Sequence, residues 1–430
     1  MLSNNITVEN GHLYFGGQDT VALAQQYGTP LYVMDEVRIR ENMRMYRKAF
    51  HQHFGEAALP LYASKACSFK QMYRIAAEEG LGVDVVSSGE LYTAAAAGFP
   101  MERVYFHGTN TTDRDIAFAM DNGLGYFVVD NREELDAISR IAGEKGITQN
   151  ILMRLTPGID PHTYEAVSTG KVDSKFGVAI ETGQALELVS YALNLPNLRL
   201  KGFHCHVGSQ VFGEDVFERA SEIMLTFMAA CAEIFDIRLE QLDLGGGYGV
   251  RYVEGDPEID IPAAIGRVAA HMKAFCAQLG MELPEIHMEP GRSIVADAGM
   301  TLYEVGSVKK IPGYKNYVSV DGGMSDNPRY ALYGSQYTVY LSSRPEDEAD
   351  LHCDVVGRCC ESGDIIQPDV DLPEPKRGEI LAVCTTGAYN YSMASTYNRI
   401  ARPAEIMVTP ERTFEAVRRV SLEDLIRNDI

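Results

Sequence analysis

The sequence predicts an α/β protein: a (β/α)8 TIM-type barrel followed by an all-β C-terminal domain. Three observations lead there. Between Leu31 and Arg292, eight short apolar runs of β type recur, each followed by a stretch of helical character. After Arg292 the texture changes to shorter β-type pieces punctuated by Gly and Pro. The length, 430 residues, accommodates a barrel of about 250 residues and a second domain.

Taken in order, Ile6–Glu9 and His12–Phe15 read as a hairpin around Asn10-Gly11. The barrel strands are then expected at Leu59–Ser64, Gly82–Val86, Val104–His107, Gly125–Val129, Ile151–Leu155, Leu200–His206, Leu239–Leu244 and Glu285–Met288. Segments with helical spacing, such as Phe69–Glu79 and Phe217–Ile234, lie between them. Beyond the barrel, β-type pieces are expected at Tyr317–Val320, Tyr337–Leu341, Leu351–Val356 and Glu379–Cys384, with Pro368–Pro375 as the longest linker-like stretch. The expected division is a barrel over residues 31–300, with residues 1–30 and 301–430 forming the β domain.

Composition narrows the function classes. No apolar run approaches the roughly 20 residues of a membrane span. Met1–Asn10 has neither a basic nor an apolar signal region, so the cytoplasm is the expected location. A net charge of −22 argues against a general nucleic-acid binder. The eight cysteines are scattered, without metal-ligand spacing, and are expected to be reduced. His204 and His206, or His51 and His53, offer paired imidazoles, but no third ligand stands at characteristic spacing. No catalytic metal is expected.

In a βα barrel, catalytic groups project from the C-terminal ends of the strands. Four polar signals meet there. Lys65 follows the first strand, His206 ends the sixth, Gly245-Gly-Gly247 ends the seventh, and Glu289-Pro-Gly-Arg292 ends the eighth. Alone, Lys65 reads as a solvated loop residue; in a partly desolvated barrel mouth its amine is a Schiff-base nucleophile. Backbone N–H groups of the glycine loop, with Ser209 as a hydroxyl donor from the neighbouring loop, suit a phosphorylated ligand. Glu289 can keep a pyridine nitrogen protonated, which pyridoxal phosphate requires as an electron acceptor. His206 reads either as a core histidine or as a ring packed on that cofactor.

These residues carry a family resemblance that runs from about Tyr32 to Val408. Tyr62-Ala-Ser-Lys-Ala66, Gly82–Glu90, Ser168–Gly177, His204-Cys-His-Val-Gly-Ser209, Gly245-Gly-Gly247, Glu289-Pro-Gly-Arg292, Cys360-Glu-Ser-Gly-Asp364 and Thr386-Gly-Ala-Tyr389 are the motifs. The chain resembles the decarboxylases with an alanine-racemase-like fold and, within them, the diaminopimelate decarboxylases. It departs from the usual family pattern at Cys67, where asparagine is common, and at Tyr330, where proline is common.

The resemblance implies that Lys65 carries pyridoxal 5'-phosphate, His206 stacks on its ring, and Glu289 pairs with its nitrogen. Ser209, Gly246, Gly247, Pro290, Gly291, Arg292 and Tyr389 would surround the cofactor. It also implies a homodimer with shared sites, in which Cys360 and Glu361 reach the partner's barrel and Cys360 protonates the product carbanion. Charge matching bears on the substrate. Diaminopimelate has a distal carboxylate beside a distal amine, and Arg292, Arg329, Tyr333 and Glu361 supply the complementary groups, with Tyr389 also expected at the substrate. The expected reaction is decarboxylation of meso-2,6-diaminopimelate to L-lysine, the last step of lysine biosynthesis. The rivals are a decarboxylase of another basic amino acid, a racemase of similar fold, and a non-catalytic cofactor carrier; the carrier would lack the domain that brings Cys360.

Overall fold

A computed structural model describes residues 1–159, 174–213 and 215–430. Of the Ser168–Gly177 motif, residues 168–173 lie outside the described residues. The chain divides into two compact units: Met43–Gly249 with Ile259–Gly291, and Met1–Asn42 with Val250–Glu258 and Arg292–Ile430.

The first unit is the closed barrel that the βα alternation predicts. Its strands are Leu59–Ala63, Gly82–Val85, Val104–His107, Tyr126–Val129, Gln149–Thr156, Leu198–His204, Gln241–Asp243 and Glu285–Met288. Each pairs in parallel with its neighbour, and the eighth closes on the first through His287 opposite Leu59. The second and third strands are buried throughout, as expected of strands covered on both faces. Leu61, Tyr105, Val128 and Leu152 form one apolar cluster contributed by four strands.

Helices with ordinary end signals return the chain between strands. Thr112 and Asp115 form a reciprocal capping box before Asp113–Asp121, and Asp260 caps Ile261–Leu279 with a proline in its first turn. The sixth strand ends at His204, so His206 stands two residues beyond it rather than inside it. Gly202 is required within that strand: a Cβ there would lie 1.7 Å from the carbonyl oxygen of Gln241.

The second unit is predominantly β. Its long strand Gly299–Ile311 pairs antiparallel with Leu31–Asp35, with Ile380–Cys384 and with Lys315–Val320. Leu31–Asp35 in turn pairs in parallel with Ala404–Val408. All five residues of Leu31–Asp35 are buried, and although the run falls within the range 31–300 expected of the barrel, its partners belong to this sheet.

The N-terminal hairpin joins the same unit. Asn10 and Gly11 both take positive φ, 50° and 81°, as its tight turn requires, and Leu13 and Phe15 pack with Leu31, Met300, Ala404 and Ile406. Pro368 does not mark a linker. It lies within the strand Ile365–Leu372, at the edge of its sheet, where the pairing with Leu351–Val356 shifts register and a missing N–H is tolerated. No described helix is long and apolar enough to cross a membrane.

Candidate active site

The C-terminal ends of the barrel strands gather the titratable groups. Lys65 lies in the 3-10 turn Ser64–Ala66 that follows the first strand, with 40% of its side chain exposed. Its Nζ stands 4.0 Å from Oδ2 of Asp84 on the second strand. Asp84 is buried, and neither of its oxygens has a hydrogen-bond partner. Burial pushes its carboxyl up to about 6 against the opposing pull of Lys65.

Glu289, one residue past the eighth strand, lies between two imidazoles. Nε2 of His107 is 2.8 Å from Oε1, and Nε2 of His204 is 3.3 Å from Oε2. Burial works to raise the carboxyl, but His107 and His204 outweigh it and hold Glu289 well below the usual range. Burial drives the neighbouring Asp243 carboxyl the other way, upward, and the charge on Glu289 adds to that rise. Burial also lowers His204 to about 4.

The loops after the sixth, seventh and eighth strands pack backbone against backbone. A Cβ on Gly246 would lie 2.1 Å from the carbonyl oxygen of Glu289, and one on Gly247 would lie 2.3 Å from that of Gly208. Gly291 is pressed against Ala63 in the same way, while Ala63 donates its N–H to the carbonyl of Pro290 at 3.1 Å. Only glycine allows this approach. The N–H of Gly246 donates to Nδ1 of His206 at 3.2 Å, which orients that imidazole, and Ser209 lies half-buried in the sixth loop. Thus Lys65, His206, Ser209, Gly246, Gly247, Glu289, Pro290 and Gly291 all sit at the strand ends of one barrel.

The remaining sites belong to the β-rich unit. Nη1 of Arg292 donates to the hydroxyl of Tyr252 at 2.7 Å, and its guanidinium lies 4.8 Å from the ring centre of Tyr389. Arg329, 4% exposed, packs on the same Tyr252 ring at 4.9 Å and donates from Nη1 to the hydroxyl of Tyr337 at 3.2 Å. Its Nε is buried without a hydrogen-bond partner. Tyr333 ends the short helix that Arg329 begins and is half-buried.

Cys360 and Glu361 are exposed on a loop of that unit. Asp364 pins this loop by accepting from the N–H of Cys359 at 2.6 Å and of Met324 at 2.5 Å, while Asn398 accepts from the N–H of Cys360 at 2.7 Å.

Sequence reasoning gave no role to His107, Asp84 or Tyr252. The available signal was polarity out of place: His107 and Asp84 are the polar residues of otherwise apolar strands, which in a closed barrel leaves them buried.

Comparison with known proteins decides the family. Residues 36–296 match the model of the pyridoxal-dependent decarboxylase, pyridoxal binding domain. The diaminopimelate decarboxylase of Halalkalibacterium halodurans is 46% identical over 420 residues, 98% of this chain and 95% of that one. The chain belongs to the diaminopimelate decarboxylase family. The Bacillus subtilis member is 43% identical, covering 98% of this chain and 96% of its own. The solved M. jannaschii diaminopimelate decarboxylase in complex with L-lysine superposes with a TM-score of 0.91 at 31% identity, covering 99% of this chain and 98% of that one. The barrel with its separate β-rich region is therefore the architecture of that family, and the chain is a decarboxylase.

Proposed function

We propose that this family member decarboxylates meso-2,6-diaminopimelate at its D-configured centre to give L-lysine and carbon dioxide, as the last step of lysine biosynthesis. The observation that carries the choice of substrate is the pair of buried guanidiniums, Arg292 and Arg329, gathered on Tyr252 with Nε of Arg329 unpartnered. Among the described residues no carboxylate forms an ion pair with Arg329, so this buried cation suits an anionic group on a ligand. A distal carboxylate meets that need; ornithine and arginine have none.

The barrel residues suit pyridoxal 5'-phosphate. Lys65 presents a primary amine beside the carboxylate of Asp84, which accepts no hydrogen bond, and Gly246 and Gly247 pack so closely on the carbonyls of Glu289 and Gly208 that neither position admits a Cβ. We assign Lys65 as the attachment point, with Ser209, Gly246, Gly247, Pro290, Gly291, Arg292 and Tyr389 holding the phosphate end. His206 is assigned to the ring face and Glu289 to the pyridine nitrogen. When bound, the cofactor supplies the electron sink for the pair left behind as carbon dioxide departs.

The protein's own part is placement and proton transfer. An ionised Glu289 holds a proton on the pyridine nitrogen, where it favours that sink. Arg292, Arg329, Tyr333, Tyr389 and Glu361 fix the distal end of the substrate, and Cys360 delivers a proton to Cα on the vacated face. Because Cys360 and Glu361 are exposed on their own chain, we infer a homodimer in which each subunit completes its partner's site. We place it in the cytoplasm, in keeping with eight cysteines that form no disulfide.

The test is carbon dioxide release from meso-diaminopimelate against D- and L-lysine, ornithine and arginine. A clear preference for meso-diaminopimelate is expected. Equal or faster release from ornithine or arginine would replace this reading by a decarboxylase of basic amino acids.

A further inference from the structure

Glu289 is a carboxylate in a place that disfavours its charge. It is 5% exposed, and its charge helps to push the nearby Asp84 and Asp243 carboxyls up. Arg154, on the fifth strand, adds a cation to the same surroundings. Desolvation alone would leave such a group protonated, and a protonated Glu289 has no charge to offer a pyridinium.

Two strands bring the compensation. Nε2 of His107, at the end of the third strand, stands 2.8 Å from one carboxylate oxygen, and Nε2 of His204, at the end of the sixth, stands 3.3 Å from the other. The two rings meet edge to face, 4.9 Å between centres and 72° between planes, so each nitrogen takes a separate oxygen. The direction of the His204 contact follows from its surroundings. Its other nitrogen, Nδ1, is buried without a partner, and a proton placed there would leave the Nε2 lone pair facing a carboxylate. The proton therefore belongs on Nε2, and the imidazole donates.

We propose that His107 and His204 are positioning residues for this decarboxylase: His204 donates from Nε2 to one oxygen of Glu289, His107 sets its Nε2 2.8 Å from the other, and together they keep the carboxylate ionised and fix its plane for the cofactor nitrogen. This rests on the assignment of Glu289 to that nitrogen. A hydrogen bond donated to the charged form favours that form, and polar contacts from two separate strands also set its orientation.

The experiment loads wild type and variants with cofactor labelled with 15N in the ring and reads the chemical shift of that nitrogen in the holoenzyme, alongside kcat and KM. Glu289→Gln is the reference and is expected to move the signal to its unprotonated position. His107→Phe and His204→Phe are expected to move it the same way, with kcat lower by about tenfold or more and KM changed by less than about threefold. His107→Gln and His204→Gln, which keep an N–H donor of similar reach, are expected to return both readouts toward wild type. Where a phenylalanine variant does not fold, asparagine, too short to reach, takes its place.

A wild-type nitrogen signal and kcat in the non-donating His107 and His204 variants, with the signal lost in Glu289→Gln, would overturn the role of the histidines alone. An unchanged signal in Glu289→Gln would overturn the underlying assignment and this proposal with it.

Discussion

Tyr252 receives a hydrogen bond from Nη1 of Arg292 over 2.7 Å and carries the guanidinium of Arg329 on its ring at 4.9 Å, so one phenol joins two buried cations. Burial works to raise the phenol's pKa, but Arg292 and Arg329 outweigh it and bring it below the ordinary tyrosine value. Tyr252→Phe keeps the ring and removes the acceptor. A loss of about 10- to 100-fold in kcat/KM for meso-diaminopimelate is expected, because a charged donor loses its partner. Kinetics indistinguishable from wild type would show that the phenol oxygen does not organise the arginines.

Arg329 is assigned to the distal carboxylate and not to the phosphate. Arg329→Ala should lower kcat/KM on meso-diaminopimelate by roughly 30- to several-thousand-fold, equivalent to about 2–5 kcal/mol of lost charge-assisted contact. The visible absorbance of the bound cofactor should survive and serves as a control for folding and loading. If Arg329→Ala retains near-normal kcat/KM, the distal-carboxylate model fails.

Lys65 is the lysine placed directly after a barrel strand, with its amine 4.0 Å from Asp84. Reduction of the holoenzyme with borohydride, followed by peptide mass mapping, should find the pyridoxyl group on Lys65. Labelling at any other lysine would refute that attachment point.

A shared site makes a quantitative statement about hybrids. In an equal mixture of Lys65→Ala and Cys360→Ala subunits that exchange freely, half the dimers are hybrids, each with one intact site. Activity should return to about a quarter of wild type. Demonstrated subunit exchange without any return of activity would exclude this arrangement.

Asp326 offers a test of pH-dependent stability. It is 2% exposed, it accepts from the hydroxyl of Tyr303 and from the N–H of Gly323 at 2.9 Å, and burial pushes its carboxyl up to about 7. Between the unfolded value near 4 and about 7, the folded chain keeps a proton that the unfolded chain has released. Its contribution therefore falls as pH rises through that window, by at most ~1.4 kcal/mol per pH unit. Urea unfolding of wild type and Asp326→Asn at several pH values should show wild type losing ground to the variant from about pH 4 to about 7, then no further change. Parallel stability curves would contradict the raised carboxyl.

The sequence by itself determined the eight barrel strands, the polar residues Lys65, His206 and Glu289 at their ends, and the glycine loop between them. These are local signals: a short apolar run, its breaker, and the residue that follows. What the sequence left undecided depends on partners distant along the chain. Leu31–Asp35 is buried on every residue and falls within the range 31–300 expected of the barrel, yet its partners are Gly299–Leu302 and Ala404–Val408; a continuous apolar run states burial without naming its neighbour.

The surroundings of Glu289 were hidden for the same reason. His204 lies 85 positions before it, and His107 sits on yet another strand, so no spacing rule links the three. Tyr252 likewise meets Arg292 across 40 positions. Only closure of the barrel and pairing of the β-rich unit bring these groups to hydrogen-bond distance. There, loss of water makes each charge depend on its immediate partners, and that dependence is a property of the tertiary structure.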